Sequence, residues 1–198
     1  NNLRRLRVFQ HLSLDGFISA GDPGEYSDEF HNGGWTGPYR HISGLESVLE
    51  MQGPEFDLVL GRVTYDLWSG HWPKQAPSTI SDGINNATKF VATHHPETLE
   101  WGPVVGIGPD VAAALNEIKS GDGPDLILWG SGSVASQAFA AGLVDELVLF
   151  VYPAILGRGV RFISNTVDPQ ELALVSSNAS PTGVLTNVYK WVGKLKTA

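Results

Sequence analysis

The stretch Leu126-Ile127-Leu128-Trp129-Gly130-Ser131-Gly132-Ser133-Val134 decides the architecture of this chain. Four apolar residues read as a buried strand, and Gly130 to Ser133 as a tight turn. Ser131 or Ser133 then caps a helix that Gly142 closes. A strand that turns directly into a helix is half of a βαβ unit and implies a parallel sheet. The same order appears upstream, where Phe56 to Leu60 is a short strand and Gly61 to Trp68 reads as the first turns of a helix whose end Trp72-Pro73 marks.

Further strands read at Leu6 to Leu12, Lys89 to Thr93, Val104 to Gly106 and Glu146 to Ile155. Asp110 caps a helix over Val111 to Lys119, with Gly121 as its stop. Ser43 to Gln52 carries Leu45, Val48 and Leu49 at helical spacing. Leu172 to Ser176 and Val184 to Val192 follow with no helix between them, joined at Pro181-Thr182-Gly183. Alternation followed by strands alone predicts an α/β fold: a mixed sheet, helices on both faces and an antiparallel C-terminal edge. At about 150 residues per domain, 198 residues make a single domain over 1–198.

Composition narrows the function. Hydrophobic residues are 42% and charged residues 17%, so the chain can build a core and is not disordered. With no cysteine, a disulfide framework, a cysteine zinc site and thiol catalysis are all excluded. A net charge of -8 repels phosphate backbones, so no nucleic-acid partner is expected. No apolar run reaches about 18 residues and the first residues lack a signal-peptide layout, so neither a membrane span nor export is expected and the location predicted is cytoplasmic.

Five features could carry chemistry. The Gly130-Ser131-Gly132-Ser133 turn brings backbone N–H groups and a helix N-terminus toward an oxyanion, or is simply a capped βα turn. At Gly61-Arg62-Val63-Thr64, Arg62 can fork onto phosphate and Thr64 can donate its hydroxyl. Two such turns on one sheet could share one diphosphate. A standard dinucleotide fingerprint is absent, because the third glycine is missing and Asp145-Glu146 precede the next strand. Thr93-His94-His95 follows a strand; neighbouring extended side chains diverge, so no metal site is expected. Ser13-Leu14-Asp15-Gly16 is a turn, and the loop beyond it carries Tyr26, Phe30, Trp35 and Tyr39, suited to ring stacking or to packing. Arg158 and Arg161 could hold an anionic tail or sit on an exposed turn. Proton donors stay open among Asp15, Asp28, Glu29 and His31, with Asp15 the candidate catalytic residue. Hydrolase and NTPase signatures are absent.

Taken in order, Ser13-Leu14-Asp15-Gly16, Gly33-Gly34-Trp35, Gly61-Arg62-Val63-Thr64-Tyr65, His71-Trp72-Pro73, Lys89-Phe90-Val91, Gly130-Ser131-Gly132, Gly142-Leu143-Val144-Asp145-Glu146-Leu147 and Pro153-Ala154-Ile155-Leu156-Gly157 resemble the dihydrofolate-reductase-like family. The branch is that of the C-terminal reductase domain of the bacterial riboflavin-biosynthesis deaminase-reductase. The resemblance implies a three-layer αβα fold, a homodimer and NADPH as hydride donor. Gly61, Arg62 and Thr64 would meet the cofactor phosphates, and Thr93 and His94 the adenosine 2′-phosphate. Gly130, Ser131, Gly132, Ser133 and Val134 would cradle the diphosphate, and Leu14, Asp15, Phe17 and Ile18 would border the nicotinamide. The implied activity is reduction of a pyrimidine- or pterin-like heterocycle or a carbonyl compound, resembling 5-amino-6-(5-phosphoribosylamino)uracil reductase. The alternative is an NADP(H)-binding protein without turnover. Trp129 stands where the riboflavin reductases carry an acid before their Gly-Gly turn.

Overall fold

A computed structural model describes residues 3–19, 34–39, 49, 52–130 and 132–197. Most of the helix expected over Ser43 to Gln52 lies outside these residues. The parallel strands are β1 (Leu6–Ser13), β3 (Asp57–Gly61), β4 (Lys89–Ala92), β5 (Val104–Ile107), β6 (Leu126–Trp129) and β7 (Glu146–Tyr152). Two long strands, β9 (Gln170–Ala179) and β10 (Leu185–Lys194), close the sheet as an antiparallel pair, and its order is β5-β4-β3-β6-β1-β7-β10-β9. A small separate ladder joins β2 (Phe17–Ser19) to β8 (Val160–Arg161). Helices with full ranges among the described residues are α1 (Arg62–Ser69), α2 (Thr79–Asn86), α3 (Val111–Ser120) and α4 (Gly132–Ala140). The result is the α/β, mixed-sheet architecture expected, with helices on both faces.

Strand alternation sorts the core into two layers. Leu58, Leu60, Ile127, Trp129, Val148 and Phe150 face α1 and α2, meeting Tyr65, Trp68 and Ile84. Leu6, Val8, Val59, Leu126, Leu128 and Leu147 face α3 and α4, meeting Leu115, Val134, Ala135 and Ala138. Central strands buried on both faces explain the unbroken apolar runs in the sequence.

Caps and stops mostly follow the sequence. Asp110 accepts a hydrogen bond from the Ala113 amide at 3.0 Å, and Gly142 takes φ +68 after α4. Helix α2 was not anticipated. Its only apolar pair is Ile80 and Ile84 at i,i+4, one turn in eight residues, and Gly83 in its interior argues against a helix. A capping box between Ser78 and Ser81 starts it. Gly83 is required by packing, because a Cβ there would lie 3.1 Å from the Phe56 ring. β7 stops at Tyr152 rather than Ile155, since Pro153 cannot donate to the ladder.

Lys89 is completely buried at the start of β4. Its ammonium donates to the Asn85 carbonyl at 2.7 Å and the Gly102 carbonyl at 3.3 Å, and lies 4.2 Å from the Trp101 ring centre. Burial lowers its pKa from 10.5 to about 8, while Asp57 acts in the opposite sense. The unfolded chain therefore binds the extra proton between those values, and stability rises with pH across that window. The full effect is about 3 kcal/mol at most. Wild type is expected to gain stability toward Lys89→Met on going from pH 8 to pH 10.5 in paired urea titrations. A constant difference between the two proteins would refute the assignment.

Candidate active site

All six parallel strands end on one edge of the sheet, where ligands of open α/β sheets bind. β3 and β6 are neighbours with Leu60 opposite Trp129, so Gly61 and Gly130 turn away side by side. The contact between the two turns is close. Gly130 adopts φ +78, and a Cβ there would lie 2.5 Å from Thr64 Oγ1. The Gln10 amide holds the turn from below, donating to the Gly130 carbonyl at 2.9 Å. Gly61 is the N-cap residue of α1 and supplies no side-chain cap. The first amides of α1 thus have no side-chain acceptor, which suits an anion.

Beside these turns lies a groove of about 280 Å³, lined by Gly61, Arg62, Thr93, His94, Ser133 and Val134. It has room for part of a nucleotide. Ala92, Ile107, Gly108, Pro109, Val111 and Gln137 complete the wall; these were not anticipated, because they come from the end of β4, from the end of β5 through the start of α3, and from α4. Arg62 is already oriented. Its Nη1 donates to Thr98 Oγ1 at 2.7 Å and Thr93 Oγ1 at 3.1 Å, and its Nε pairs with Asp66 at 2.9 Å. His94 is exposed, and His95 faces Glu97 at 3.3 Å. Among the described residues, no three metal-ligating side chains gather.

The nicotinamide-side residues of the expected set follow β1. Leu14 is exposed, and its amide donates to the Ala154 carbonyl at 2.8 Å. The Asp15 carboxylate accepts from Ser13 Oγ at 2.7 Å and from the Leu156 and Gly157 amides at 3.0 and 2.8 Å. The Ser13 hydroxyl, helped by the two amides against partial burial, holds its pKa down at about 2. Asp15 therefore fastens the 14–17 turn to the 156–157 loop and is ionised at neutral pH. Phe17 is buried beneath Arg161, whose guanidinium lies 4.8 Å from the ring centre. The β2–β8 ladder crosses the start of α4: a Cβ on Gly132 would meet the Phe162 carbonyl at 2.9 Å and Ile18 Cδ1 at 3.6 Å. Ser131, together with Tyr26, Asp28, Glu29, Phe30 and His31, lies outside the described residues.

On the opposite face of the same edge stands an aromatic wall, to which the sequence pointed only through the loop residues Trp35 and Tyr39. His11 Nδ1 and Tyr152 Oη are 2.6 Å apart. The imidazole stacks on Phe150 at 4.9 Å and approaches Trp129 at 5.7 Å. Trp35 lies edge-on to Tyr152 at 5.1 Å, its indole donating to the Ile18 carbonyl at 3.1 Å. Each of His11, Phe150 and Tyr152 sits in a strand that reads as ordinary core.

The chain is 28% identical over 200 residues to the uncharacterized protein YyaP of Bacillus subtilis strain 168, covering 98% of this chain and 99% of that one. Its fold matches a pyrimidine reductase-like protein from Corynebacterium diphtheriae with a TM-score of 0.67, at 19% identity over 96% of this chain and 93% of the other. It also matches dihydrofolate reductase from Enterococcus faecalis, a structure holding NADP(H), with a TM-score of 0.59, at 18% identity and 94% coverage of both chains. These structures establish the dihydrofolate-reductase-like fold. The family model for the RibD C-terminal domain matches residues 4–186. With that match spanning nearly the whole sheet and both glycine turns, the chain belongs to the RibD C-terminal domain family.

Proposed function

We propose that this protein is an NADPH-dependent oxidoreductase that reduces a C=N or C=O bond in a small pyrimidine- or pterin-like heterocycle or carbonyl compound. One observation carries the reading: the Gly61 and Gly130 turns lie side by side at the carboxyl edge of the sheet, beside a groove reaching Thr93 and His94. Membership of the RibD C-terminal domain family supports it. In this reading Gly61, Arg62, Thr64 and the residues from Gly130 to Val134 hold the diphosphate. Arg62, Thr93 and His94 meet the phosphate on the adenosine ribose. Leu14, Phe17 and Ile18 border the nicotinamide. The bound cofactor supplies the hydride, and the chain orients the partners and keeps water out. Asp15 acts through the loop it fastens, because a carboxylate with a pKa of about 2 has no proton to give at neutral pH.

Binding is tested by thermal unfolding. NADPH at 100 times its Kd stabilises by about 2.7 kcal/mol, and the expected rise in Tm is about 5–10 °C. No rise at millimolar NADPH refutes the reading. A panel of pterins, pyrimidines and carbonyl compounds, followed by loss of the reduced-nicotinamide absorbance, then separates an enzyme from a binding protein without turnover.

A further inference from the structure

β1 and β7 run on past the strand beside them. β6 last pairs with β1 at Trp129 opposite Phe9, whereas β7 stays paired with β1 as far as Tyr152 opposite Ser13. His11 therefore stands two positions, roughly 7 Å, beyond the last β1–β6 pair. It is on the step that opens where Gly130 turns away. Three strand spacings, roughly 14 Å, separate β4, which Thr93 and His94 follow, from β1. A ligand laid across the strand ends from Thr93 and His94, past both glycine turns, arrives at this step. There His11 is 8% exposed. Among the described residues it is the only imidazole in a wall of Trp129, Phe150, Tyr152 and Trp35.

We propose that His11 supplies the proton for the reduction and that Tyr152 positions it; this deepens the reductase reading and rests on it. As hydride reaches the carbon of the C=N or C=O bond, the π pair moves onto nitrogen or oxygen. That atom takes the proton from Nε2 of the His11 imidazolium. The neutral imidazole keeps its Nδ1 proton, donated to Tyr152 Oη, and is reloaded from solvent. NADPH is consumed as reductant, and one hydride and one proton are added to the substrate. A histidine suits the task because its ordinary pKa lies near neutrality. Tyr152 alone is too weak an acid, and Asp15 is already ionised. Among the described residues, the titratable groups around the imidazole are Tyr152 from β7, Tyr39, which lies edge-on to Tyr152, and Asp15, turned toward Leu156 and Gly157. β6 presents only Trp129.

The test is a pH titration by NMR of the full chain carrying ¹³C-labelled histidine, free, with NADPH and with NADP⁺, His11 being assigned through His11→Gln. The oxidised nicotinamide carries a positive charge that the reduced ring lacks. At about 5 Å such a charge lowers a neighbouring imidazole by at least about half a pKa unit, even at the dielectric of water. His11 is expected to titrate lower with NADP⁺ than with NADPH. His11→Gln is expected to leave the NADPH Kd within threefold. For compounds of the panel that wild type reduces, it lowers kcat by about 100-fold or more with little change in KM. Tyr152→Phe keeps the NADP⁺ effect but displaces the pH profile of kcat. Equal His11 titration in the two complexes, or unchanged kcat in His11→Gln, overturns the proposal while leaving the reductase reading intact. Failure of both nucleotides to bind overturns the reductase reading itself and the proposal with it.

Discussion

Arg4→Ala is expected to cost about 3–5 kcal/mol, the range for breaking a buried ion pair by removing one partner. The Arg4 side chain is 5% exposed and pairs with Asp57, itself 16% exposed. Its Nε donates to the Pro124 carbonyl at 2.7 Å, and its guanidinium lies 5.7 Å from the Phe90 ring centre. Truncation leaves the Asp57 carboxylate with the Thr88 amide, 3.0 Å away, as a hydrogen-bond partner and with Lys89 acting on it only through space, and it leaves the Pro124 carbonyl without its donor. The measurement is the urea midpoint at constant m-value. Arg4→Met combined with Asp57→Asn is expected to recover part of the loss, because the uncompensated charge is gone. A loss below about 1 kcal/mol would mean that water screens the pair as it does an ordinary surface one.

Gly130→Ala is the second large effect, and it joins stability to ligand binding. The backbone at φ +78 disfavours any side chain, at about 1–2 kcal/mol. The new methyl would also collide with Thr64 Oγ1, which must move away from the turn. Since Thr64 and Gly130 form the junction of the two turns proposed to hold the diphosphate, NADPH affinity is expected to fall at least tenfold. Adding Thr64→Ala removes the collision but not the backbone strain. The double variant should therefore regain part of the lost stability and little of the affinity. Thermal unfolding and nucleotide titration of the three variants decide this. An unchanged Tm and Kd in Gly130→Ala would mean that the two turns can separate freely.

The architecture was legible wherever burial is two-sided. Leu126 to Trp129 and Leu58 to Leu60 are apolar without interruption because helices cover both faces of these strands. The glycine turns were legible for a different reason: a strand that must end and reverse into a helix within a few residues needs backbone freedom, and Gly130 with its positive φ supplies it. Helix α2 was hidden by its shortness, with one Ile80–Ile84 pair as its apolar signal and Gly83 as a local breaker. β9 runs on past Ser176 to Ala179 because Ser177 and Asn178 are exposed polar residues that carry no apolar signal. Of the site, the groove-facing residues near Gly61, Thr93 and Gly130 follow from local pattern. The His11–Tyr152 pair does not: 141 residues separate the partners, and only the β1–β7 register brings them together. The same holds for Asp15, whose amide partners are 141 and 142 residues away.

The placement of β1 between β6 and β7 has a consequence for how the chain matures. On a ribosome the first strand emerges early, yet both of its neighbours belong to the region 126–152 and emerge late. Until then its two edges are unsatisfied, and a hydrophobic segment with open edges is prone to wrong pairing. Closing such long loops also slows folding relative to helical proteins of similar size. Nascent chains arrested before residue 126 should therefore remain protease-sensitive and bind holdase chaperones, with protection arriving once β7 has left the exit tunnel.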